Sequence, residues 1–216
     1  MTNIFGTPEK AAYRAELFQN AVEALEKQGF KVERIPREGK ASVRRITKDG
    51  ISKKVSIRTT QDRWIAFPRN AKGDGWATLG DVDYVMAASV DNRENPRFAQ
   101  IHMIPGDDIR ARFDRAYAAR KAAGFVMPKG RGIWVSLYEQ ESNEPVTHVG
   151  AGAGLAYPAI AKVPLTGEKG AKIIQEELDH QDVEVEEAPL SIAEAKRRLA
   201  LSLGVNEADI KITING

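Results

Sequence analysis

The segment 31–72 concentrates side chains that could contact phosphate groups. It holds thirteen Lys and Arg against four Asp and Glu, a net charge of +9, whereas the whole chain carries +2. Lys and Arg that follow one another along strands can track the phosphates of a nucleic acid. We expect the nucleic acid to be DNA. The residues expected to bind it are Arg44, Arg45, Lys48, Lys53, Lys54, Arg58, Arg63 and Arg69. An ordinary solvated surface of one charge sign would give the same pattern, and this alternative stays open.

Two tryptophans, Trp64 and Trp76, lie in or next to this basic segment. An exposed indole ring could stack on an unpaired base. The alternative is that both rings belong to the core, as the apolar neighbours in RWIAF indicate for Trp64.

The other residue types that could do chemistry form no recognisable motif. His102, His148 and His180 are far apart and lack the spacing of metal ligands. The GAGAG run at 150–154 is neither a dinucleotide-binding nor a Walker sequence, so we expect a flexible surface or interface loop there. The chain has no cysteine, which excludes disulfides and thiolate sites. We therefore expect no metal and no cofactor.

Hydrophobic periodicity predicts the elements that position these residues. Thr7 and Pro8 begin a helix that Gly29 ends. Strands are expected at 30–35, 41–46, 54–59, 63–67, 84–90, 100–104 and 132–138. The second and third form a hairpin around Asp49-Gly50, and the apolar run YVMAASV at 84–90 predicts a strand buried on both faces.

A second helix is predicted over 109–123, with Asp107 or Asp108 as its cap. Ile109 and Phe113 mark its apolar face. The opposite face is basic and would extend the nucleic-acid surface: Arg110, Arg112, Arg115, Arg120 and Lys121. Together these elements predict an α/β (α+β) fold with a mixed central sheet flanked by helices.

The composition changes near residue 165, which predicts three regions. Residues 1–165 would form the α/β core, 166–189 a charged connector and 190–216 a small helix–strand module. The connector contains a short helical stretch at 171–178 and seven acidic residues within 176–187. Ser191 and Glu194 form a capping box for a helix, and the alternating Ile210, Ile212 and Ile214 predict a terminal strand.

Composition also bears on the compartment. Hydrophobic residues make up 42% and charged residues 29% of the chain, as in ordinary soluble proteins. No apolar run approaches the length of a membrane span, and the N-terminal residues do not have the pattern of a secretory signal. Together with the absence of cysteine, this predicts a cytoplasmic protein.

The order of elements over residues 7–124, with VSIRTTQDRW followed by DVDYVMAASVD, resembles the restriction-endonuclease-like core of the PD-(D/E)XK nuclease superfamily. In that superfamily an Asp on one strand and an acid-x-Lys motif on the next hold a divalent metal. The resemblance therefore implies a site in which the metal activates water to attack a phosphodiester.

At the matching positions this chain departs from the pattern. Ser56 stands in place of the acid, Arg58 stands in place of the lysine, and the preceding strand ASVRRI supplies no Asp. Glu16 and Asp49 are the remaining weak candidates for a catalytic carboxylate. We expect a degenerate nuclease core that binds nucleic acid without cutting it, as an accessory or regulatory subunit of a DNA-processing or defence system.

Two alternatives remain open at the level of the sequence. The chain could be an active nuclease with migrated catalytic residues, which would require Mg²⁺. It could instead be a protein-interaction or immunity-type module that binds a protein partner, or a second copy of itself, through its C-terminal module.

Overall fold

The computed structural model describes residues 7–35, 42–70, 72–127, 132–181, 196 and 206–211. These residues form a curled mixed sheet of six strands, a separate two-stranded ribbon and four α-helices. The predicted mixed α/β fold class is thereby confirmed.

The chain divides into two compact units, Met1–Gln175 and Glu176–Gly216. The helices are α1 Pro8–Lys27, α2 Gly106–Ala122, α3 Ala153–Ala156 and α4 Glu168–Gln181. The strands are β1 Lys31–Arg34, β2 Val43–Lys48, β3 Ile51–Thr60, β4 Trp64–Pro68, β5 Tyr84–Val90, β6 Phe98–Pro105, β7 Gly132–Ser136 and β8 Ala161–Pro164. Short 3₁₀ turns lie at Val146–His148 and, in the second unit, at Glu207–Asp209.

Helix α1 begins and ends where its sequence predicts. The Thr7 side chain accepts a hydrogen bond from the backbone N–H of Lys10, which satisfies one of the free N–H groups of the first turn. Gly29 follows the helix with a φ of +86°, a conformation that glycine adopts without steric cost. Leu17 and Leu25 are fully buried and hold the helix against the sheet.

The six-stranded sheet has the order β1-β2-β3-β5-β6-β8. β3 and β5 are parallel, and every other neighbouring pair is antiparallel. Six of the seven residues of β5 are buried, which explains its continuous apolar run. The predicted hairpin is formed by β2 and β3 around Asp49 and Gly50.

The two faces of the sheet are covered by different elements. α1 covers one face, where Leu25 packs in a core with Ile57 and Met86. α2 and the ribbon of β4 and β7 cover the other face. There the rings of Phe67 and Phe113 meet edge to face, with their centroids 5.1 Å apart.

The strand predicted at 63–67 is confirmed as β4, but it belongs to a two-stranded sheet of its own and not to the main sheet. Arg63 has a φ of +68°, and the Thr60 hydroxyl accepts a hydrogen bond from the backbone N–H of Trp64. This turn carries β4 out of the main sheet to pair with β7. The sequence did not predict this separate sheet, because the turn depends on a non-glycine residue in a left-handed conformation.

The start of α2 also differs from its prediction. Pro105 occupies the cap position, and no side chain caps the helix. Asp108 instead lies in the first turn and accepts a hydrogen bond from Arg112. The predicted helix after Ser191 and the strand over 210–214 lie outside the described residues, apart from Lys196 and the segment 206–211.

Candidate nucleic-acid interface

The β2–β3 hairpin ends in an exposed, twisted tip. Asp49 and Gly50 have φ values of 51° and 77°, which form the tight turn that Asp-Gly favours. All five residues from 48 to 52 are exposed, so both faces of the ribbon meet solvent there. A two-stranded ribbon of this kind fits the width of a DNA major groove.

The basic residues of the hairpin divide between the two faces of the sheet. Arg45 lies directly opposite Lys54, on the face that α2 covers farther along the strands. Arg44 points to the other face, where its guanidinium lies 5.1 Å from the ring of Phe18 on α1. Because side chains alternate along a strand, no single surface presents all of the predicted residues.

Two arginines near the hairpin are exposed and make no ion pair with any described residue. Arg34 lies on the edge strand β1 and Arg45 on the neighbouring β2. Lys48 is also exposed, and its Nζ donates a hydrogen bond of 2.7 Å to the carbonyl of Gln28. Lys54 is paired with Asp81, the Nζ and Oδ2 atoms being 2.8 Å apart. The side chains best placed to meet phosphates are therefore Arg34, Arg45 and Lys48.

Three of the predicted phosphate-binding arginines are engaged inside the protein. Arg44 is only 8% exposed, and burial together with the neighbouring Arg34 lowers its pKa. Arg58 stacks on Phe67, with 4.3 Å between its guanidinium carbon and the ring centroid. Arg69 lies between the rings of Trp76 and Tyr117. Their stacking contributes to the core, so none of the three is presented on the exposed surface of the hairpin.

The arginines of α2 are also used within the fold. Arg110 donates to the carbonyls of Leu79 and Val82, and Arg112 to that of Ala151. Arg115 forms a two-pronged ion pair with Glu141, which raises the pKa of Arg115 and lowers that of Glu141. Arg120 is buried and donates to the carbonyls of Trp134 and Thr147. The arginines of this face thus bind neighbouring loops, and Lys121 is its one exposed member without a described contact.

The three tryptophans lie in different surroundings. Trp76 is 5% exposed, and its indole N–H donates to Asp114 over 2.8 Å, so it belongs to the core. Trp64 is half-buried, and its ring lies 6.5 Å from that of His148. Trp134, which sequence reasoning did not single out, is 53% exposed on β7. The alternation in GIWVS indicates this exposure, because Ile133 and Val135 point inward and the residue between them must point outward.

The four weak catalytic candidates do not come together. Ser56 and Arg58 share one face of β3, whereas Asp49 lies at the hairpin tip. Glu16 is buried on α1, on the opposite side of the sheet, and accepts hydrogen bonds from the backbone N–H groups of Thr166 and Gly167.

These positions do not fit a divalent cation. The Ser56 side chain is fully buried and uncharged, and the neighbouring Arg58 guanidinium is positively charged and would repel a metal ion. Within the described ranges, no group of three His, Asp or Glu side chains is placed to hold a metal.

The GAGAG segment is not the surface loop that its composition predicted. Residues 149–154 are all buried. A Cβ on Gly150 would lie 2.4 Å from the carbonyl oxygen of Arg112, and one on Gly154 would lie 2.9 Å from the ring of Tyr138. Glycine is required here because backbone and ring atoms approach the chain too closely for a side chain.

A polar pocket of about 280 Å³ lies beside the ribbon. Its walls come from both strands of the ribbon and from the loop after β5: Asp62, Arg63, Trp64, Asp91, Asn92, Arg93, Glu94, Ser136, Tyr138 and Glu139. Four carboxylates face two guanidinium groups, so the pocket has the wrong charge for a phosphate.

Comparison with known proteins adds no relative: no protein family, no curated protein and no solved structure matches this chain. The resemblance to the PD-(D/E)XK superfamily therefore stays a prediction. Among the described helices, none has the length and apolar character needed to cross a membrane.

Proposed function

We propose that the protein binds nucleic acid through the exposed end of the β2–β3 hairpin and the adjacent edge strand, without cutting it. The observation that carries this proposal is the exposure of Arg34 and Arg45, neither of which forms an ion pair with a described residue. Glu33, which lies opposite Arg45, forms its ion pair with Lys31. Arg34 lies opposite Arg44 on one face of the sheet. Arg45 lies opposite Lys54 on the other face. Like charges that face each other across strands repel, and a phosphate bound near either pair would offset that repulsion.

The shape of the hairpin supports binding to a groove. Both faces are exposed at the tip, so basic residues on opposite faces can meet the phosphates of the two strands that border a groove. Arg45 lies on one face and Lys48 on the other, while Arg34 extends the ribbon on β1. Contacts of this type position a protein on a nucleic acid and carry no sequence information by themselves.

A binding assay with matched variants tests this proposal. Labelled DNA duplex, single-stranded DNA and RNA are titrated at low salt with the protein and with Arg34→Ala, Arg45→Ala and Lys48→Ala. We expect each variant to weaken binding by a similar factor for every sequence tried. Lys121→Ala is the control, because Lys121 is also exposed but lies at the end of α2. Failure of the unaltered protein to bind any of the three at low salt would end the proposal.

A second candidate function, binding of another protein chain, is supported by exposed apolar side chains. Trp134, Phe125 and Val126 are 53%, 50% and 90% exposed. Arg120 links the backbone of two of them, since its side chain donates to the Trp134 carbonyl and its own carbonyl accepts from the Phe125 N–H. Light scattering over a concentration series tests self-association, which Trp134→Ser should abolish and Leu155→Ser, at a separate exposed position, should leave intact.

A further inference from the structure

Two buried polar atoms on one face of β3 lack hydrogen-bond partners. The hydroxyl of Ser56 is fully buried and the Nε of Arg58 is inaccessible, and neither makes a hydrogen bond with a described residue. The two residues stand two positions apart and therefore point to the same side of the strand. Buried polar groups without partners are rare, and each calls for a specific explanation.

The Arg58 guanidinium also lacks a negative partner. No described carboxylate pairs with it: Asp81 is bound to Lys54, and Asp114 accepts from the Trp76 indole. Burial lowers the pKa of Arg58 to about 10, which reflects the cost of keeping this charge away from water. Phe67 stacks against the guanidinium and offsets only part of that cost.

The guanidinium of Arg58 is hydrogen-bonded to a neutral group, the side chain of Thr78. The Nη2 of Arg58 donates to the Thr78 hydroxyl, which in turn donates to the carbonyl of Ala77. Thr78 has a φ of +64°, a conformation that β-branched residues almost never adopt. The residue that covers Arg58 is therefore held in a strained backbone and is only half-buried.

We infer that Arg58, Ser56 and Thr78 form a binding site for a phosphate group. A phosphate oxygen would replace Thr78 as the acceptor of the Arg58 guanidinium, and further oxygens would accept from Nε and from the two hydroxyls. A guanidinium offers several donors in one plane and suits an oxyanion that has several acceptor atoms. The phosphate would supply the missing negative charge and satisfy both unpartnered atoms. This inference goes beyond the proposed function, because it does not depend on Arg34, Arg45 or Lys48.

Calorimetric titration of the full chain with inorganic phosphate at constant ionic strength tests the inference. We expect saturable binding to the unaltered protein and a loss of about tenfold or more in affinity for Arg58→Met, as when hydrogen bonds to a charged group are removed. Arg93→Met is the matched control, because Arg93 is an exposed arginine without a described ion pair. No heat of binding in the unaltered protein, or equal affinity in Arg58→Met, would overturn the inference.

Ser56→Ala provides a second test in case Arg58→Met fails to fold. Removing a buried hydroxyl without a partner should raise the melting temperature in phosphate-free buffer. The same change should weaken phosphate binding, because one donor is lost. A merely structural Ser56 would leave phosphate affinity unchanged, and that result would also overturn the inference.

The source of the phosphate group is decided by competition. A short labelled oligonucleotide is bound first, and inorganic phosphate is then added. If inorganic phosphate displaces the oligonucleotide from the unaltered protein but not from Arg58→Met, the site binds a phosphodiester. If inorganic phosphate binds without displacing the oligonucleotide, the site binds a free phosphate. In both cases the phosphate site stands, whatever the outcome for Arg45→Ala in the hairpin assay.

Discussion

The Nε2 atom of His102 lies 2.9 Å from the hydroxyl oxygen of Tyr138, and its Nδ1 atom lies 2.7 Å from the carbonyl oxygen of Tyr157. The carbonyl can only accept, so Nδ1 carries the proton and Nε2 accepts from the Tyr138 hydroxyl. His102 is 2% exposed, and burial lowers its pKa. The same burial raises the pKa of Tyr138.

This pair predicts a loss of stability in mild acid. The pKa of His102 is lower in the folded than in the unfolded chain, so the unfolded chain takes up the proton first as the pH falls below about 6.5. The free energy of unfolding should therefore decrease below that pH, by at most about 1.4 kcal/mol per pH unit for one proton. Urea unfolding between pH 7.5 and 5 measures it.

The matched variants for this prediction are His102→Gln and His148→Gln. His102→Gln should lower stability at neutral pH and remove most of the decrease between pH 6.5 and 5.5. His148 is partly exposed at the protein surface, so His148→Gln should keep the decrease. An unchanged pH profile in His102→Gln would show that other groups cause it.

Gly150→Ala should destabilise the protein strongly. The new Cβ would lie 2.4 Å from the Arg112 carbonyl oxygen, and the φ of +84° adds strain for any L side chain. We expect a loss of about 3 kcal/mol or more by urea unfolding, since overpacking and left-handed strain add. Gly73→Ala measures the backbone strain without a clash, because Gly73 has a φ of +77° and no atom lies within 4 Å of its added Cβ. This variant should lower the free energy of unfolding by only about 1–2 kcal/mol. Equal losses in the two variants would contradict the clash.

Arg120 and Lys121 are neighbours with opposite expected roles. Arg120→Met leaves the carbonyls of Trp134 and Thr147 without their buried donor and should cost about 2–4 kcal/mol of stability. Lys121→Ala should change stability by less than about 0.5 kcal/mol, as is usual for surface substitutions. Neither variant should weaken nucleic-acid binding. Weaker binding by Lys121→Ala would show that the end of α2 belongs to the nucleic-acid interface.

Incubation with DNA and RNA in Mg²⁺ or Mn²⁺ should give no cleavage. Ser56 and Arg58 do not fit a metal, and Glu16 is bound to two backbone N–H groups on the other side of the sheet. Glu16→Gln should accordingly reduce stability, by about 1–3 kcal/mol. Cleavage that survives purification and disappears in Glu16→Ala or Asp49→Ala would favour the active-nuclease alternative.

Local chemistry allowed the sequence to predict much of the fold. The Thr7 cap, the Asp49-Gly50 turn and the apolar run of β5 each require only neighbouring residues, and the structure has all three. The sequence did not predict that β4 leaves the main sheet. This departure depends on Arg63 in a left-handed conformation, which the residue type arginine does not indicate.

The candidate site was less predictable because charge does not specify exposure. A pattern of basic residues predicts a solvated face, yet Arg44, Arg58 and Arg120 are engaged with an aromatic ring or with carbonyls. Long side chains bury their stems and find partners that lie far away in the sequence. Only the tertiary contacts distinguish these engaged arginines from the exposed Arg34 and Arg45.

The salt dependence of duplex binding tests the central claim most directly. If the hairpin neutralises phosphates, the logarithm of the binding constant falls linearly with the logarithm of the salt concentration, by about 0.9 per phosphate contact. The double variant Arg34→Ala/Arg45→Ala should reduce that slope by about two contacts, whereas Lys121→Ala should leave it unchanged. A slope that is the same in all three proteins, or binding that does not depend on salt, would contradict nucleic-acid binding by the hairpin.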